Sequence, residues 1–226
     1  MPRTVIPPRS HRRVPARTAA VRDPLPLMMK AGLAAGIALA ALCLALPVRA
    51  EGPPAELEAG LAKVDAGLMH QLATDPGIIA AIRAQNTANA GLTEADILAR
   101  DKAWRAEVGT ASTPTISAVA ANPASSILHK AKEGSEGLIT EAFVMDNRGL
   151  NVGMSDTTSD YWQGDEPKWQ ETFLKGPGAR HVSDVDFDDS SQTYIIQLSE
   201  PVMDPDSGKP IGALTLGLDA EALGNL

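Results

Sequence analysis

The sequence predicts an α+β fold, with a long N-terminal helix and short helices packed on a central antiparallel sheet. Three observations carry this. Leu57, Leu61, Val64, Leu68 and Leu72 recur at helical spacing and make one apolar stripe. Ile139-Thr-Glu-Ala-Phe-Val-Met145 and Leu150-Asn-Val-Gly-Met154 flank Asp146-Asn-Arg-Gly149, a strand–turn–strand pattern with Gly149 at the positive-φ position. Seven of the eight aromatic residues fall between Phe143 and Tyr194, in a chain otherwise rich in Ala and Leu.

The N-terminal fifty residues read as targeting sequence. Residues 1–27 are rich in Pro and Arg without an apolar period and build no core. Met28 and Met29 precede Lys30, and translation is expected to start there. An apolar run of sixteen residues follows, Ala31 to Leu46, broken by Pro47. Val48 and Ala50 then supply the small residues of a signal-peptide cleavage site, which puts residues 28–50 in the signal and cleavage after Ala50. The run is short for a membrane span; an uncleaved inner-membrane anchor is the alternative. Cys43, the only cysteine, lies in this run, and Leu42 is too bulky for a lipoprotein box. The mature chain therefore offers no disulfide, no Cys-based zinc site and no thiol nucleophile.

Residues 51–226 carry twelve basic and twenty-seven acidic residues, a formal charge of −15. Nucleic acids and anionic membrane surfaces need a basic footprint, so neither is an expected partner. Residues 51–136 form the helical N-terminal part of the domain. Asp75-Pro-Gly77 ends or kinks the first helix, and Ile78, Ile79 and Ile82 mark a second. Thr93-Glu-Ala-Asp96 reads as a capping box opening a helix through Ile97, Leu98, Trp104 and Val108. Asn122-Pro123 reads as an N-cap with proline at the first helical position.

Residues 137–226 form the sheet and pocket. After the hairpin comes Thr158-Ser-Asp-Tyr-Trp-Gln-Gly-Asp-Glu-Pro-Lys-Trp169, then strands in Thr193–Val202 and Lys209–Leu218 joined by a turn at Asp204-Pro-Asp-Ser-Gly208. This order of parts resembles the Cache family of extracytoplasmic, PAS-like small-molecule sensors. The resemblance implies a PAS-like sheet, with ligand held between it and a cover formed by Ser155 to Asp189. It implies Tyr161 and Trp169 as pocket walls and Asp165 as a polar contact. Asp184 and Asp186 fall where members place a carboxylate for a ligand ammonium. Trp162 and Tyr194 are assigned to the same site, with the core as their other destination. Pro167 stands where the amino-acid-binding branch has an arginine, which argues against a ligand carboxylate clamped in that way.

Other chemistries find little support. Asp184-Val-Asp-Phe-Asp-Asp189 fails as an EF-hand loop at Asp189 and Ile195, and reads as a solvated acidic loop or strand edge. His70, His129 and His181 have no metal-ligand spacing. No phosphate loop or nucleophile elbow occurs. No cofactor is expected, and the protein is read as a non-enzyme. The leading function is a periplasmic sensor module that binds a small polar ligand. An amine or neutral polar compound is favoured, because ten carboxylates and only Lys168, Lys175 and Arg180 lie between Ser155 and Glu200. The chain ends soon after its last strand, so an unidentified membrane signalling protein is expected as partner, with homodimerisation left open. The alternatives are an extracytoplasmic scaffold with a vestigial pocket and an Asp/Glu-dependent hydrolase.

Overall fold

A computed structural model describes residues 53–226. The expected signal peptide and cleavage site, with Met28 and Cys43, lie outside the described residues. The chain begins with helix α1 (Ala55–Val64), continues through a π-helical turn (Asp65–Met69) and ends the first helical run in α2 (His70–Ala73). The stripe is buried at Leu57, Leu61, Val64 and Leu72, but Met69 replaces Leu68 as the fully buried residue. The π-turn causes this, because a wider turn inserts one residue and moves the apolar face along by one.

Asp75 caps α3 (Pro76–Ala88) by accepting from the N–H groups of Gly77 and Ile78. The capping box forms on α4 (Glu94–Glu107), with Thr93 and Asp96 satisfying each other's backbone. Helix α5 (Pro114–Ala120) has no counterpart in the sequence reading. Asn122 caps α6 (Pro123–Gly134) with Pro123 in the first turn, as expected.

The sheet is antiparallel and PAS-like, built from β1 (Ile139–Met145), β2 (Asn151–Met154), β3 (His181–Val182), β4 (Asp186–Asp188), β5 (Thr193–Met203) and β6 (Pro210–Asp219). Its order is β2-β1-β6-β5-β3, with β4 also pairing β5. Helix α7 (Pro167–Gln170) lies in the connection after β2, and α8 (Ala220–Gly224) closes the chain. One sheet face, through Val144, Leu198, Leu214, Leu216 and Leu218, buries the apolar sides of α1, α3 and α6. The other face carries a second core in which Phe143, Met145 and Ala213 meet Ile97, Trp104, Tyr161 and Trp169. Each side chain removed from water contributes about 1.5–3 kcal/mol, so these two layers hold the helices and the cover to one sheet.

Glu200 interrupts the first core between Leu198 and Val202. It shares a cleft with Asp65 of the π-turn, His70 and Arg180, and Arg180 lies 3.4 Å from Asp65. Burial first, and the hydrogen bond and charge of Asp65 next, raise the Glu200 carboxyl to about 8. A carboxyl raised in the folded state lends stability that is complete below its unfolded value and is lost as pH rises through the folded one. Unfolding midpoints should therefore fall between about pH 5 and pH 9, and E200Q should flatten that fall. An unchanged slope in E200Q would assign the effect to another group.

Candidate functional site

The hairpin turn organises the site. Gly149 adopts φ 79°, and a Cβ there would stand 2.5 Å from the Cα of Gly164, so the turn and the following connection meet backbone to backbone. Asp146 at the turn is fully buried. It accepts from the N–H of Arg148 (2.8 Å) and Leu150 (3.0 Å) and from the side-chain amides of Gln85 (3.0 Å) and Asn89 (2.8 Å). Helix α3 and the hairpin are thereby locked together.

The aromatic segment lies over the second sheet face as a cover, and its large rings are its pins. Tyr161 stacks on Trp104 of α4 with centroids 5.3 Å apart. Trp104 Nε1 donates to the Thr158 carbonyl at 2.9 Å, and Asp101 accepts from the N–H of Tyr161 and Trp162 at 3.0 and 3.1 Å. Trp162 Nε1 donates to the Arg148 carbonyl at 2.8 Å, and Trp169 Nε1 to the Asp146 carbonyl at 3.1 Å. Trp169 also stacks on Phe173. Every indole N–H is thus satisfied by main chain, as a buried donor requires.

Between cover and sheet lies a cavity of about 400 Å³. Its floor is Glu141 and Phe143 of β1 with Ile195 and Gln197 of β5; its roof is Thr157 to Asp160, Gln163 and Lys168. Val108, Asp188 and Ser190 close the sides. Gln197 donates to Glu141 at 2.9 Å. Burial raises the Glu141 carboxyl above its ordinary range, against the hydrogen bond from Gln197 and the charge of Lys168. Burial also acts upward on Asp188, yet hydrogen bonds from Ser190 and Ser191 prevail and hold it at about 2, so it is ionised at neutral pH. Asp160 is bound to Gln163 and lies 3.1 Å from Arg105. Lys168 is 2.6 Å from Glu166 and 5.5 Å from the centre of the Phe143 ring.

None of the seven residues predicted from the sequence lines this cavity. Tyr161 and Trp169 are buried as pins of the cover, and Trp162 is half-buried against Gly164. Asp165, Asp184 and Asp186 are exposed. Tyr194 is 60% exposed and meets Phe187 edge to face at 5.4 Å. Alternation along β5 explains Tyr194, since its neighbour Ile195 takes the cavity side. The segment is the one expected, but its polar residues face the cavity and its aromatic ones hold it in place. Glu141, Phe143, Gln197 and Asp188 were not singled out by sequence reasoning. The alternation of β1 and β5 offered the only signal for the first three.

A second cleft of about 580 Å³ lies beside α3, lined by Ile79, Ala80, Arg83 and Met203 among others. It is mostly apolar, and Arg83 is already paired with Asp204 and Asp206. Among the described residues no helix is long and apolar enough to cross a membrane. No cluster of metal-ligating side chains occurs among them either.

No family model matches the chain, and no curated protein matches it. Solved structures similar to it include the sensor domain of the histidine kinase DctB of V. cholerae, at 13% identity and a TM-score of 0.42 over 74% of this chain and 55% of that one. The sensory domain of the Campylobacter jejuni chemoreceptor Tlp3 with isoleucine bound is 18% identical, with a TM-score of 0.36 over 75% of this chain and 59% of that one. The E. coli DcuS sensor domain is 16% identical, with a TM-score of 0.34 over 58% of this chain and 91% of that one. The chain thus spans less than two thirds of the first two structures.

Proposed function

We propose that this chain is a Cache-type sensor module of the periplasm, a non-enzyme that holds a small polar molecule between sheet and cover. The observation that carries the reading is the cavity of about 400 Å³ where the two layers meet, with polar groups converging from both. The order of sequence motifs from Ile139 to Leu218 supports the same assignment. On this reading, occupancy is reported to a separate membrane signalling protein.

The cavity's charge sets the ligand class. Glu141, Asp160 and Asp188 line it, whereas its one ammonium, Lys168, is already paired with Glu166. A dicarboxylate would need several free cationic or N–H donors. An amine or a neutral polar compound fits the lining better. Native mass spectrometry of protein recovered from the periplasm tests both location and occupancy. The expected result is a mature chain beginning at Glu51 that loses a small molecule on denaturation. A thermal-shift panel of amines, sugars, amino acids and dicarboxylates should then show stabilisation by amines or neutral compounds. An empty protein that no compound stabilises would favour the scaffold with a vestigial pocket.

A further inference from the structure

Tyr161 pins the cover with its ring, yet it takes no part in the cavity over the sheet. Its exposed edge belongs instead to a groove of about 570 Å³ that runs along α3 toward α4 and the start of α6. The long wall of this groove is apolar. Gly77, Ala80, Ala84 and Ala88 follow one another at helical spacing on α3, with Pro123 of α6 beside them. The three alanines are exposed, so no larger side chain of this helix fills the space.

The end of the groove is built differently. Arg100 donates to Asn89 Oδ1 at 3.0 Å and lies beside the Tyr161 hydroxyl. It makes no ion pair among the described residues, although the domain is strongly acidic. Asp96, one turn before it, is engaged by the N–H and hydroxyl of Thr93 at 2.9 and 2.6 Å. Asp101 is taken by Arg105 and by the main chain of the cover. Asp146, behind Asn89, already accepts from four donors. Tyr161 is only 6% exposed, and no acceptor takes its proton among the described residues. Burial first, and the charge of Asp146 next, raise the phenol above its ordinary value, so it stays a donor at neutral pH. Two unspent donors, one of them cationic, thus converge on the end of an apolar trough.

We propose that this groove is a second ligand site, taking a small aliphatic monocarboxylate whose oxygens accept from Arg100 and Tyr161 while its alkyl chain lies along the alanine wall of α3. The planar guanidinium fork matches one carboxylate. A second carboxylate would meet only alanine, and an amine would bring a donor to donors. The groove therefore selects the opposite charge from the cavity between sheet and cover, and it stands independently of what fills that cavity. Each methylene that the wall covers should add about two- to fourfold in affinity.

Titration calorimetry with acetate, butyrate, 3-methylbutanoate and 3-methylbutanamide tests the site, with NMR shifts locating the bound compound. The five-carbon acid should bind about tenfold or more tightly than its amide, and more tightly than acetate. It should move the resonances of Ala84, Ala88 and Tyr161 rather than those of Phe143 and Gln197. Y161F keeps the ring on Trp104; it should melt as the parent does and weaken the acid by about fivefold. R100Q should erase the preference for acid over amide. A84F, on the exposed wall, should remain folded and abolish binding by filling the groove. Equal binding of acid and amide, shifts confined to the cavity, or unchanged affinity in A84F would each overturn the site. So would a dimer in sedimentation that A84F dissociates, because the groove would then belong to a second copy. If R100Q folds poorly for want of its bond to Asn89, Y161F and A84F decide alone.

Discussion

Replacing Trp104 with alanine should cost about 3–5 kcal/mol of stability, the usual loss for a large buried aromatic. Trp104 has no exposed surface, carries the Tyr161 ring at 5.3 Å and donates to the Thr158 carbonyl at 2.9 Å. Truncation removes the packing, empties the space beneath Tyr161 and leaves that carbonyl unpaired, a further cost of about 1 kcal/mol or more. The damage should spread beyond α4. Thr158 to Asp160 and Gln163 roof the cavity, and Trp104 fixes their height above the sheet. Hydrogen exchange in residues 155–165 should therefore accelerate, and ligand affinity should drop with stability. Trp104→Phe keeps a ring for Tyr161 and should recover most of the packing while still losing the hydrogen bond. Chemical denaturation showing W104A within about 1 kcal/mol of the parent would mean that the cover is held elsewhere.

Trp104 also shows what was legible in the sequence. It is the one aromatic residue outside the segment from Phe143 to Tyr194, and it reads as an apolar position of α4. The fold returns it to the others. Local signals survived folding where the chemistry is local. The Asp-Asn-Arg-Gly turn, the Thr93/Asp96 capping box and the Asn122-Pro123 start each depend on a few adjacent residues, and each forms. Strands β5 and β6 also appear where the sequence places them, on either side of the Asp204–Gly208 turn.

What escaped depends on contacts between distant segments. The π-turn that exchanges Leu68 for Met69 leaves no mark in the apolar spacing of the sequence. Strand β4 and helix α7 are too short to carry a period of their own. The site was legible as a segment but not as a set of side chains. Aromatic residues with polar handles look like pocket walls, and here the handles of all three tryptophans are taken by main-chain carbonyls. Thr158, Asp160, Gln163 and Lys168, which lie between them in sequence, are left to face the cavity. Thr140, just before Glu141, sits at a bulge whose position only the pairing with β6 reveals.

Asp146→Ala should be the most disruptive polar substitution, with an expected loss of about 3–5 kcal/mol. The figure follows from four donors that converge on one buried carboxylate, each costing about 1–3 kcal/mol when left unsatisfied, with some recovered by relaxation or water. The donors come from separate parts of the chain. Gln85 and Asn89 belong to α3 and the residue that ends it, whereas Arg148 and Leu150 belong to the hairpin. The Asp146 carbonyl in turn receives Trp169 Nε1 from the cover. Helix, hairpin and cover are therefore coupled at one residue, and weakening it should lower the unfolding midpoint and the rigidity of the roof together. Asp146→Asn is the sharper comparison. It keeps the volume and one acceptor oxygen but turns an amide toward donors, so it should cost about 1–3 kcal/mol and fall between the parent and the alanine variant. Denaturation midpoints of the three proteins decide the matter. An alanine variant as stable as the parent would show that the four donors find other partners, and the hairpin would then owe its position to the apolar contacts of Val144, Leu150 and Val152 alone.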